Sequence, residues 1–378
     1  MSLIANVGNV RTNLKIDPQK KIWSDDTITR FINEGQRWLV NDAAMNWNFG
    51  ETMGYIVPVL DYQEYRASGD DNAETYFSTT IRQLLKADGI GLGRLPKYTS
   101  GSSNNPSVLT EYAQRYFMNA GYDSAATYTT LHNMDTYNGD GTWAGTNDAT
   151  TVATDGTTYK AGAGSVSFSV VVSNSTSNKV TLTNPDLTSV DISSIDLTKA
   201  GIILWAYLTD ASEIKSFELK FGSSSANYYA CKQYSVDVQG NAYADGWNRI
   251  FIPTLNKQTV GTPDMSAVDY LQVNIDFDSS ETDQASCRID NIQIVDKYLR
   301  YWYTRKATDL SGDSDESVVP SDYQFVYEVY AESKCWNNIR GEENRASAKF
   351  NEATANKNIM IEELQYNAPQ EFVMPPRL

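Results

Sequence analysis

Cysteine and histidine are scarce in this chain of 378 residues. The three cysteines, Cys231, Cys287 and Cys335, are odd in number and lack C-x-x-C spacing, which argues against a disulfide framework and a zinc site. The single histidine, His132, has no nucleophile motif beside it. No G-x-S-x-G, H-E-x-x-H or phosphate-loop motif occurs in the sequence. We therefore predict that the chain is not an enzyme.

Long apolar runs and positive charge are also lacking. No segment reaches membrane-spanning length, and the N-terminus has no basic region followed by an apolar core. We therefore expect no membrane partner and a reducing, cytosolic place of synthesis. The 47 acidic and 31 basic residues give a net charge of −16, which argues against tight binding to nucleic acid phosphates. A solubilising surface and a channel wall past which DNA slides both remain open as explanations.

Helical patterns are present at the start of the sequence. Ser24 precedes Asp25 and Asp26, which together predict a capped helix N-terminus. An apolar stripe follows at Ile28, Phe31, Ile32, Gly35, Trp38 and Leu39. We predict a second helix over residues 74–87 and a third that begins at Asn105 and Pro106 and ends at Gly121. The segment YIVPVLDYQEY between the first two helices is interrupted by Pro58 and predicts an edge strand or an extended arm.

The pattern changes to β from about Leu131. Short runs rich in β-branched and aromatic residues alternate with turn residues, as in AGAGSVSFSVVV, NKVTLTNP, GIILWAYL, SFELKFG, NRIFIP, YLQVNIDF and CRIDNIQIV. This spacing predicts an all-β sandwich of about eight strands, arranged as a jelly roll. The apolar strand contexts of Trp205 and Trp247 favour a place for both in its core.

Helical patterns return after Pro320. Apolar residues predict a helix over residues 325–339, a break near Gly341, and a second helix with a seam. The seam residues are Ala346, Phe350, Ala353, Lys357, Met360 and Leu364. The last residues, NAPQEFVMPPRL, contain three prolines and predict an extended tail.

Neither helical part is large enough to make a core alone, so we predict that the two fold together. The fold class is then α+β and multidomain: a small α-helical bundle formed by the N- and C-terminal segments, interrupted by an all-β jelly-roll sandwich insertion. The predicted boundaries are 1–128 and 298–365 for the bundle, 129–297 for the sandwich and 366–378 for the tail.

The two helical parts together resemble the head-to-tail adaptor (connector) proteins of tailed bacteriophages. The resemblance rests on SDDTITRFINEGQRWLVNDA, on YLRYWYTRKATDLSGDSDESVVPSDY, and on the closing helical region from Phe325 to Gln365. Within the middle segment, a strand with Tyr303, Ala307 and Leu310 leads through an acidic turn to Pro320 and a helix with Tyr330-Ala331. The sandwich is a departure from that family, which usually has a short hairpin region at this place.

This resemblance implies a structural virion protein at the neck, assembled in the bacterial cytoplasm. Such a protein forms a ring, usually of twelve copies, beneath the portal protein. The ring extends the channel for genomic DNA without sequence-specific binding and offers an attachment site to tail or second-ring proteins. Candidate docking residues are two basic residues in the loop after residue 90 and three apolar residues of the tail: Arg94, Lys97, Phe372, Val373 and Met374.

The sandwich is similar to the jelly rolls of carbohydrate-binding modules, on the segments DGTW, VDISSIDLTKAGIILWAYLTD, DGWNRIFIP and RIDNIQIV. The alternative function is therefore attachment to a host-surface polysaccharide. The candidate glycan contacts are Tyr228, Tyr229, Tyr234 and Tyr243, four tyrosines within sixteen residues. The resemblance further implies a structural Ca²⁺ between the first and last strands, with Asp135 and Asp290 as ligands. Capping of turns by these aspartates is the alternative. No other cofactor is expected.

Overall fold

A computed structural model describes residues 2–15, 22–42, 51–57, 64–66, 77–78, 81–87, 91–92, 108–112, 115–118, 126–234, 236–278, 282–313 and 315–367. The chain divides into two compact units. Unit 1 comprises Met1–Thr52, Thr80–Gln83 and Thr304–Leu378, and unit 2 comprises Met53–Thr79 and Leu84–Tyr303. Among the described helices, none has the length and apolar content that crossing a bilayer requires.

The described residues of unit 1 form four α-helices: α1 (Leu3–Leu14), α2 (Asp25–Val40), α3 (Phe325–Asn337) and α4 (Glu343–Asn367). The predicted cap of α2 is confirmed, because the Ser24 side chain accepts a hydrogen bond from the Thr27 amide. The predicted break near Gly341 is also confirmed, since Gly341 has a φ of 89° just before α4 begins. Helix α1 has no counterpart among the sequence predictions.

The helices of unit 1 share one hydrophobic core. Its buried residues come from both ends of the chain and include Val10, Ile28, Ile32, Val326, Trp336 and Met360. Of the predicted α4 seam, Ala346, Ala353 and Met360 are buried. The Lys357 ammonium lies 4.2 Å from the Trp38 ring centroid and also pairs with Asp42. Buried polar contacts join α2 to the later segment: Asn33 and the Leu310 backbone exchange two hydrogen bonds of 2.9 Å.

Two of the predicted helices are wrong. Residues Ile81–Ala87 form a strand, β3, in a three-stranded sheet with β1 (Glu51–Ile56) and β19 (Leu299–Arg305) in the order β1-β19-β3. Pairing within this sheet decides the conformation of a segment whose local pattern also fits a helix. Strand β1 lies at the sheet edge and shares only Tyr55 and Ile56 with the predicted segment YIVPVLDYQEY, in which residues 58–63 lie outside the described part of the chain.

The predicted helix from Asn105 to Gly121 is replaced by a hairpin of β5 (Val108–Tyr112) and β6 (Arg115–Met118). Cross-strand pairs run from Leu109 with Met118 to Tyr112 with Arg115. These strands join β2 (Glu64–Arg66) and β4 (Gly91–Leu92) in the order β2-β6-β5-β4. The aromatic and β-branched residues of the segment fit a pleated surface as well as they fit a helix stripe.

Unit 2 contains a sandwich of two six-stranded sheets, and the pairs within them are antiparallel. The first sheet contains β7 (Tyr128–His132), β9 (Ala149–Asp155), β10 (Ser165–Val170), β12 (Gly201–Leu208), β15 (Gly246–Pro253) and β18 (Gln284–Val295). Its order is β15-β12-β18-β10-β9, and β7 also pairs with β18. The second sheet contains β8 (Ala144–Asn147), β11 (Lys179–Asn184), β13 (Ile214–Ser224), β14 (Asn227–Tyr234), β16 (Gln258–Val260) and β17 (Tyr270–Phe277). Its order is β16-β14-β13-β17-β11-β8.

The inner faces of the two sheets form the largest core in the described residues, which includes Phe168, Leu204, Phe217, Phe221, Ile250, Val273 and Ile294. All seven segments predicted as strands contribute a strand to the sandwich, so the predicted β-sandwich is confirmed. The predicted number of about eight strands is too low, because the two sheets have six described strands each. Trp247 lies outside this core, where its ring packs edge-on against Tyr207. Trp205 is buried but points to the outer side of the first sheet, because Leu204 and Ala206 on either side belong to the core.

All three cysteines are buried and free. Burial raises the pKa of the Cys231 and Cys335 thiols to about 12 and raises that of Cys287 as well. The thiols are therefore protonated at neutral pH and serve as small apolar side chains in the two cores.

Candidate functional site: the outer face of the second sheet

The outer face of the second sheet carries polar and aromatic side chains. In β13, Phe217, Leu219 and Phe221 belong to the core, so the residues between them project outward. Core residues also alternate with outward residues along β11, β14 and β17, where Val180, Cys231 and Val273 belong to the core. We define the polar face as the outward residues Lys179, Thr181, Ser216, Glu218, Lys220, Tyr228, Lys232, Tyr234, Tyr270, Gln272, Asn274 and Asp276.

A chain of hydrogen bonds crosses the middle of the polar face. The Tyr270 hydroxyl donates to Gln272 Oε1 at 2.5 Å, and Gln272 Nε2 donates to Asn274 Oδ1 at 2.8 Å. Asn274 Nδ2 donates to a Glu218 carboxylate oxygen at 2.5 Å, while the Thr181 hydroxyl donates to Asn274 Oδ1 at 2.9 Å. Asn274 is fully buried, so these bonds fix its amide orientation and polarise one another.

One carboxylate, that of Asp276, organises the adjacent part of the polar face. It accepts hydrogen bonds from Lys232 Nζ at 2.5 Å and from the Ser216 hydroxyl at 2.8 Å, and Lys179 Nζ lies 3.6 Å away. Burial opposes the charge on Asp276, but these donors outweigh burial and lower its pKa. Burial likewise opposes the charge on Lys232, and its bond to Asp276 raises the lysine pKa overall. Both groups therefore stay charged at neutral pH.

Tyrosines flank this polar centre. Tyr228 and Tyr270 lie on either side of Gly222 in one cross-strand row, with ring centroids 6.1 Å apart. Glycine is required between them, because a Cβ at residue 222 would lie 2.2 Å from the Asn227 carbonyl oxygen. At the other end of β14, Tyr234 is 59% exposed. Tyr234 lies six positions after Tyr228, which corresponds to about 20 Å along an extended strand.

The four tyrosines predicted from the sequence separate into two groups. Tyr228 and Tyr234 belong to the polar face, each with a lysine ammonium about 5 Å from its ring centroid. Tyr229 and Tyr243 pack against the sandwich core instead, and Tyr243 lies edge-on to Phe217. Burial raises the pKa of the Tyr243 hydroxyl. The structure thus places Tyr228 and Tyr234 on the polar face, at opposite ends of β14, and places Tyr229 and Tyr243 against the core.

Sequence reasoning missed the amide and carboxylate groups of the polar face. Glu218 lies on β13, whereas Gln272 and Asn274 lie on β17, more than fifty residues later in the chain. One usable signal was present, because Gln272, Asn274 and Asp276 alternate with apolar residues in YLQVNIDF. That alternation indicates a single polar face, although it does not reveal which strands lie beside it.

The two aspartates predicted as calcium ligands lie near the loop of residues 156–164. Asp290 Oδ2 accepts hydrogen bonds from the Lys160 and Ala161 amides, whereas its buried Oδ1 has no partner among the described residues. Asp135 Oδ1 accepts from the Ala163 and Gly164 amides. Burial and then the charge on Asp135 raise the pKa of Asp290, against the effect of the Ala161 and Lys160 amides, which lower it. An orphaned, buried carboxylate oxygen fits a cation that prefers oxygen ligands.

The described residues contain no group of three or more acidic, histidine or cysteine side chains suited to a metal. A Ca²⁺ at Asp290 would therefore also need backbone oxygens or water. His132 is buried, with Nδ1 accepting from the Met134 amide at 2.9 Å and Nε2 3.3 Å from the Asp140 carbonyl oxygen. Burial lowers its pKa, so the ring is neutral and its contacts with Met134 and Asp140 hold the segment between these residues.

The predicted docking residues lie outside the described part of the chain: Arg94, Lys97, Phe372, Val373 and Met374.

Comparison with known proteins gave similarities among solved structures alone. No family model matches the chain, and no curated protein matches it. It is similar to a family 11 carbohydrate-binding module from Clostridium thermocellum in complex with a β-1,3-1,4-mixed-linked tetrasaccharide. The identity is 13% and the TM-score 0.31, over 46% of this chain and 98% of that one.

Two further solved structures are similar at the same level. A family 30 carbohydrate-binding module has 12% identity and a TM-score of 0.30, over 45% of this chain and 88% of that one. An exo-β-agarase has 12% identity and a TM-score of 0.29, over 44% of this chain and 25% of that one.

Proposed function

We propose that this chain is a glycan-binding protein and that the polar face is its binding surface. The observation that carries this proposal is the connected set of amide, hydroxyl and carboxylate groups centred on Asn274, with tyrosines at both ends. A sugar chain offers hydroxyl groups that donate and accept hydrogen bonds, and it offers apolar ring faces that pack on aromatic rings. The polar face offers amide, hydroxyl and carboxylate groups to the sugar hydroxyls and tyrosine rings to the apolar sugar faces.

Preorganisation is the physical advantage of this surface. The side chains of Gln272, Asn274 and Glu218 are already held by one another, so ligand binding costs little side-chain entropy. Carboxylates bonded to amides and ammonium groups keep lone pairs for a ligand hydroxyl. The local charge is close to balanced, because the three lysines of the polar face (Lys179, Lys220 and Lys232) are opposed by two carboxylates (Glu218 and Asp276), and Asp276 pairs with two of the lysines. This balance favours a neutral or weakly charged polysaccharide.

A glycan array with the full chain, followed by calorimetry on the best oligosaccharide, tests the proposal. We expect binding that strengthens with oligosaccharide length, since the two tyrosines lie about 20 Å apart along β14. An array without any bound glycan, at protein concentrations that suit weak lectins, would refute a glycan-binding function. If substitutions on the polar face leave glycan binding unchanged, then the binding site lies outside the polar face.

A second candidate function follows from unit 1. Its helices come from both ends of the chain and share one core, which supports the idea that unit 1 is a host domain carrying the sandwich. We propose that, as a virion neck protein, unit 1 joins a ring of identical copies under the portal protein. That ring would extend the DNA channel and carry tail proteins.

The two candidate functions are compatible, because the adaptor function is proposed for unit 1 and glycan binding is proposed for the sandwich of unit 2. Electron microscopy of purified protein, alone and mixed with a portal ring, tests the adaptor candidate. A ring or a portal-bound collar is the expected result. Monomers that never associate with the portal would leave the glycan-binding proposal standing alone.

A further inference from the structure

The opposite side of the sandwich carries a groove of its own. It lies on the outer face of the first sheet, over β9, β10 and β18, and has a volume of about 410 Å³. We call it the Arg288 groove and define it by Thr151, Ala153, Asp155, Ser167, Ser286 and Arg288. Volumes of this order suit one small ligand. The groove shares no residue with the polar face.

An ion pair forms one wall of the Arg288 groove. Arg288 Nε donates to Asp155 Oδ2 at 2.6 Å, with the two side chains 13% and 15% exposed. Arg288 Nη1 donates to the Ser286 carbonyl oxygen at 2.6 Å, and the guanidinium carbon lies 4.8 Å from the Tyr207 ring centroid. Three contacts therefore hold the guanidinium in one orientation. Its Nη2 has no hydrogen-bond partner among the described residues, so two N–H donors remain for a ligand.

Small side chains leave the space beside this arginine open. Ala153, Ser167, Arg288, Tyr207 and Trp247 form one cross-strand row over five adjacent strands. The row therefore passes from two small residues to a guanidinium and then to two aromatic rings. The step in side-chain size creates a groove with a hydroxyl-bearing floor and a wall formed by the planar guanidinium.

Backbone irregularities converge on the same groove. Thr151 and Ser286 have φ values of 54° and 63°, in the left-handed region that non-glycine residues seldom adopt and that a β-branched threonine strongly disfavours. The register of β10 also shifts here, between Ser167 and Ser169 against β9 and between Phe168 and Val170 against β18. Bulges and strained residues cluster beside binding and active sites, where they direct side chains.

The charge of the groove selects among ligand classes. Arg288 is neutralised by Asp155, whose pKa is lowered first by the Thr157 hydroxyl and also by its amide and by Arg288, against the effect of burial. The pair thus stays ionised with no net charge, which gives an anion no advantage. The remaining groups are N–H donors and hydroxyls on the floor. From this geometry we infer that the Arg288 groove binds a neutral hydroxyl-rich ligand the size of a single hexose unit.

This site is independent of the proposed polar-face function, so one experiment separates the two. Saturation-transfer NMR with methyl glucoside, methyl galactoside and methyl mannoside is run on the full chain, with wild type, with Tyr228→Ala on the polar face and with three further variants. Arg288→Met removes the donors. Ala153→Leu fills the groove and leaves the ion pair intact, which keeps the test informative should Arg288→Met fold poorly. Ala244→Leu, at an exposed residue outside the groove, is the matched control.

We expect saturation transfer to at least one methyl hexoside with wild type and with Ala244→Leu. Ala153→Leu and Arg288→Met should reduce the signal at least five-fold, and Tyr228→Ala, on the polar face, should leave it unchanged. No transfer to any of the three glycosides, or equal transfer with Ala153→Leu and wild type, would overturn the assignment. A signal that Tyr228→Ala abolishes would also overturn it, because that sugar would then be bound by the polar face.

Discussion

Asn33 and Leu310 exchange two hydrogen bonds across 277 residues of sequence. The Asn33 amide group donates to the Leu310 carbonyl oxygen and accepts from the Leu310 amide, both at 2.9 Å. The side chain of a helix residue thereby pairs with the backbone as a neighbouring strand would. This contact satisfies two buried backbone groups in the segment that leads from β19 to α3.

Replacing Asn33 should therefore destabilise unit 1. Asn33→Ala leaves the Leu310 N–H and C=O buried without partners, which costs about 1–3 kcal/mol. Chemical denaturation followed by circular dichroism at 222 nm, where helices dominate, measures the effect. Asn351→Ala, at an exposed residue of α4, is the matched control and should be close to neutral. Equal stability of both variants would mean that water replaces the lost bonds.

Tyr228 should contribute to glycan affinity. Tyr228→Ala removes a partly exposed ring from one end of the polar face, so we expect affinity for the best array ligand to fall by about ten-fold, or about 1.4 kcal/mol. Calorimetry with wild type and variant measures the change. Tyr159→Ala, which removes a 43% exposed tyrosine elsewhere on the sandwich, should bind as wild type does. A comparable loss in both variants would contradict a specific role for the polar face.

Calcium should stabilise the sandwich through Asp290. Its buried Oδ1 lacks a partner among the described residues and its pKa is raised mainly by burial, and a bound cation would relieve both conditions. At 100 times its dissociation constant, Ca²⁺ adds about 2.7 kcal/mol to the free energy of unfolding. Thermal unfolding in CaCl₂, MgCl₂ and EDTA tests this.

Asp290→Asn should abolish the calcium response, and Asp186→Asn, at an exposed residue, should preserve it. If EDTA leaves the wild-type melting temperature unchanged, Asp290 and Asp135 act as caps for the loop of residues 156–164.

Glu328 should make unit 1 less stable as pH rises. The carboxyl is buried and bonded to Asn9 Nδ2 at 2.9 Å. Burial raises its pKa, the Asn9 bond lowers it, and the charge of Glu332 raises it further, so the net shift is upward. A group with a raised folded-state pKa stabilises most below its unfolded pKa of about 4.3, and this contribution is lost as pH rises through the folded pKa.

Glu328→Gln keeps the acceptor for Asn9 and removes the charge. We expect a higher melting temperature than wild type at pH 7 and a smaller difference at pH 5. Glu362→Gln, at an exposed residue of α4, should show no such pH-dependent gain. If Glu328→Gln is less stable than wild type at pH 7, then the ionised carboxylate is itself stabilising.

The sequence predicted correctly those helices and strands whose conformation depends on residues close together in the chain. Ser24 caps α2 in the structure as it does in the sequence pattern, and the β-branched runs of the sandwich became strands. Residues Ile81–Ala87 and Val108–Met118 were predicted as helices because Leu and aromatic residues recur there at three- and four-residue steps. Their strand conformation depends on pairing with segments distant in sequence, which a local window does not contain.

The candidate site shows the same division. Tyr228 and Tyr234 were predicted as glycan contacts because they belong to a cluster of four tyrosines in the sequence. The cluster alone does not show which of these rings face outward. The assembly of Glu218 with Asn274 depends on β13 lying beside β17, a neighbourhood set by the topology of the whole sandwich. The groove around Arg288 depends on bulges in β10 that leave no simple trace in the sequence.

The burial of Cys231, Cys287 and Cys335 offers a practical route to structural measurements on this protein. Thiolates react with maleimide dyes, and the raised pKa values of these buried thiols keep them protonated and slow to react. A cysteine introduced at an exposed residue should therefore label selectively in the otherwise native chain. A pair of such positions, Thr146 in the sandwich and Asn351 on α4, would carry a donor and an acceptor fluorophore. Energy transfer between them would report the spacing of the two units on single molecules.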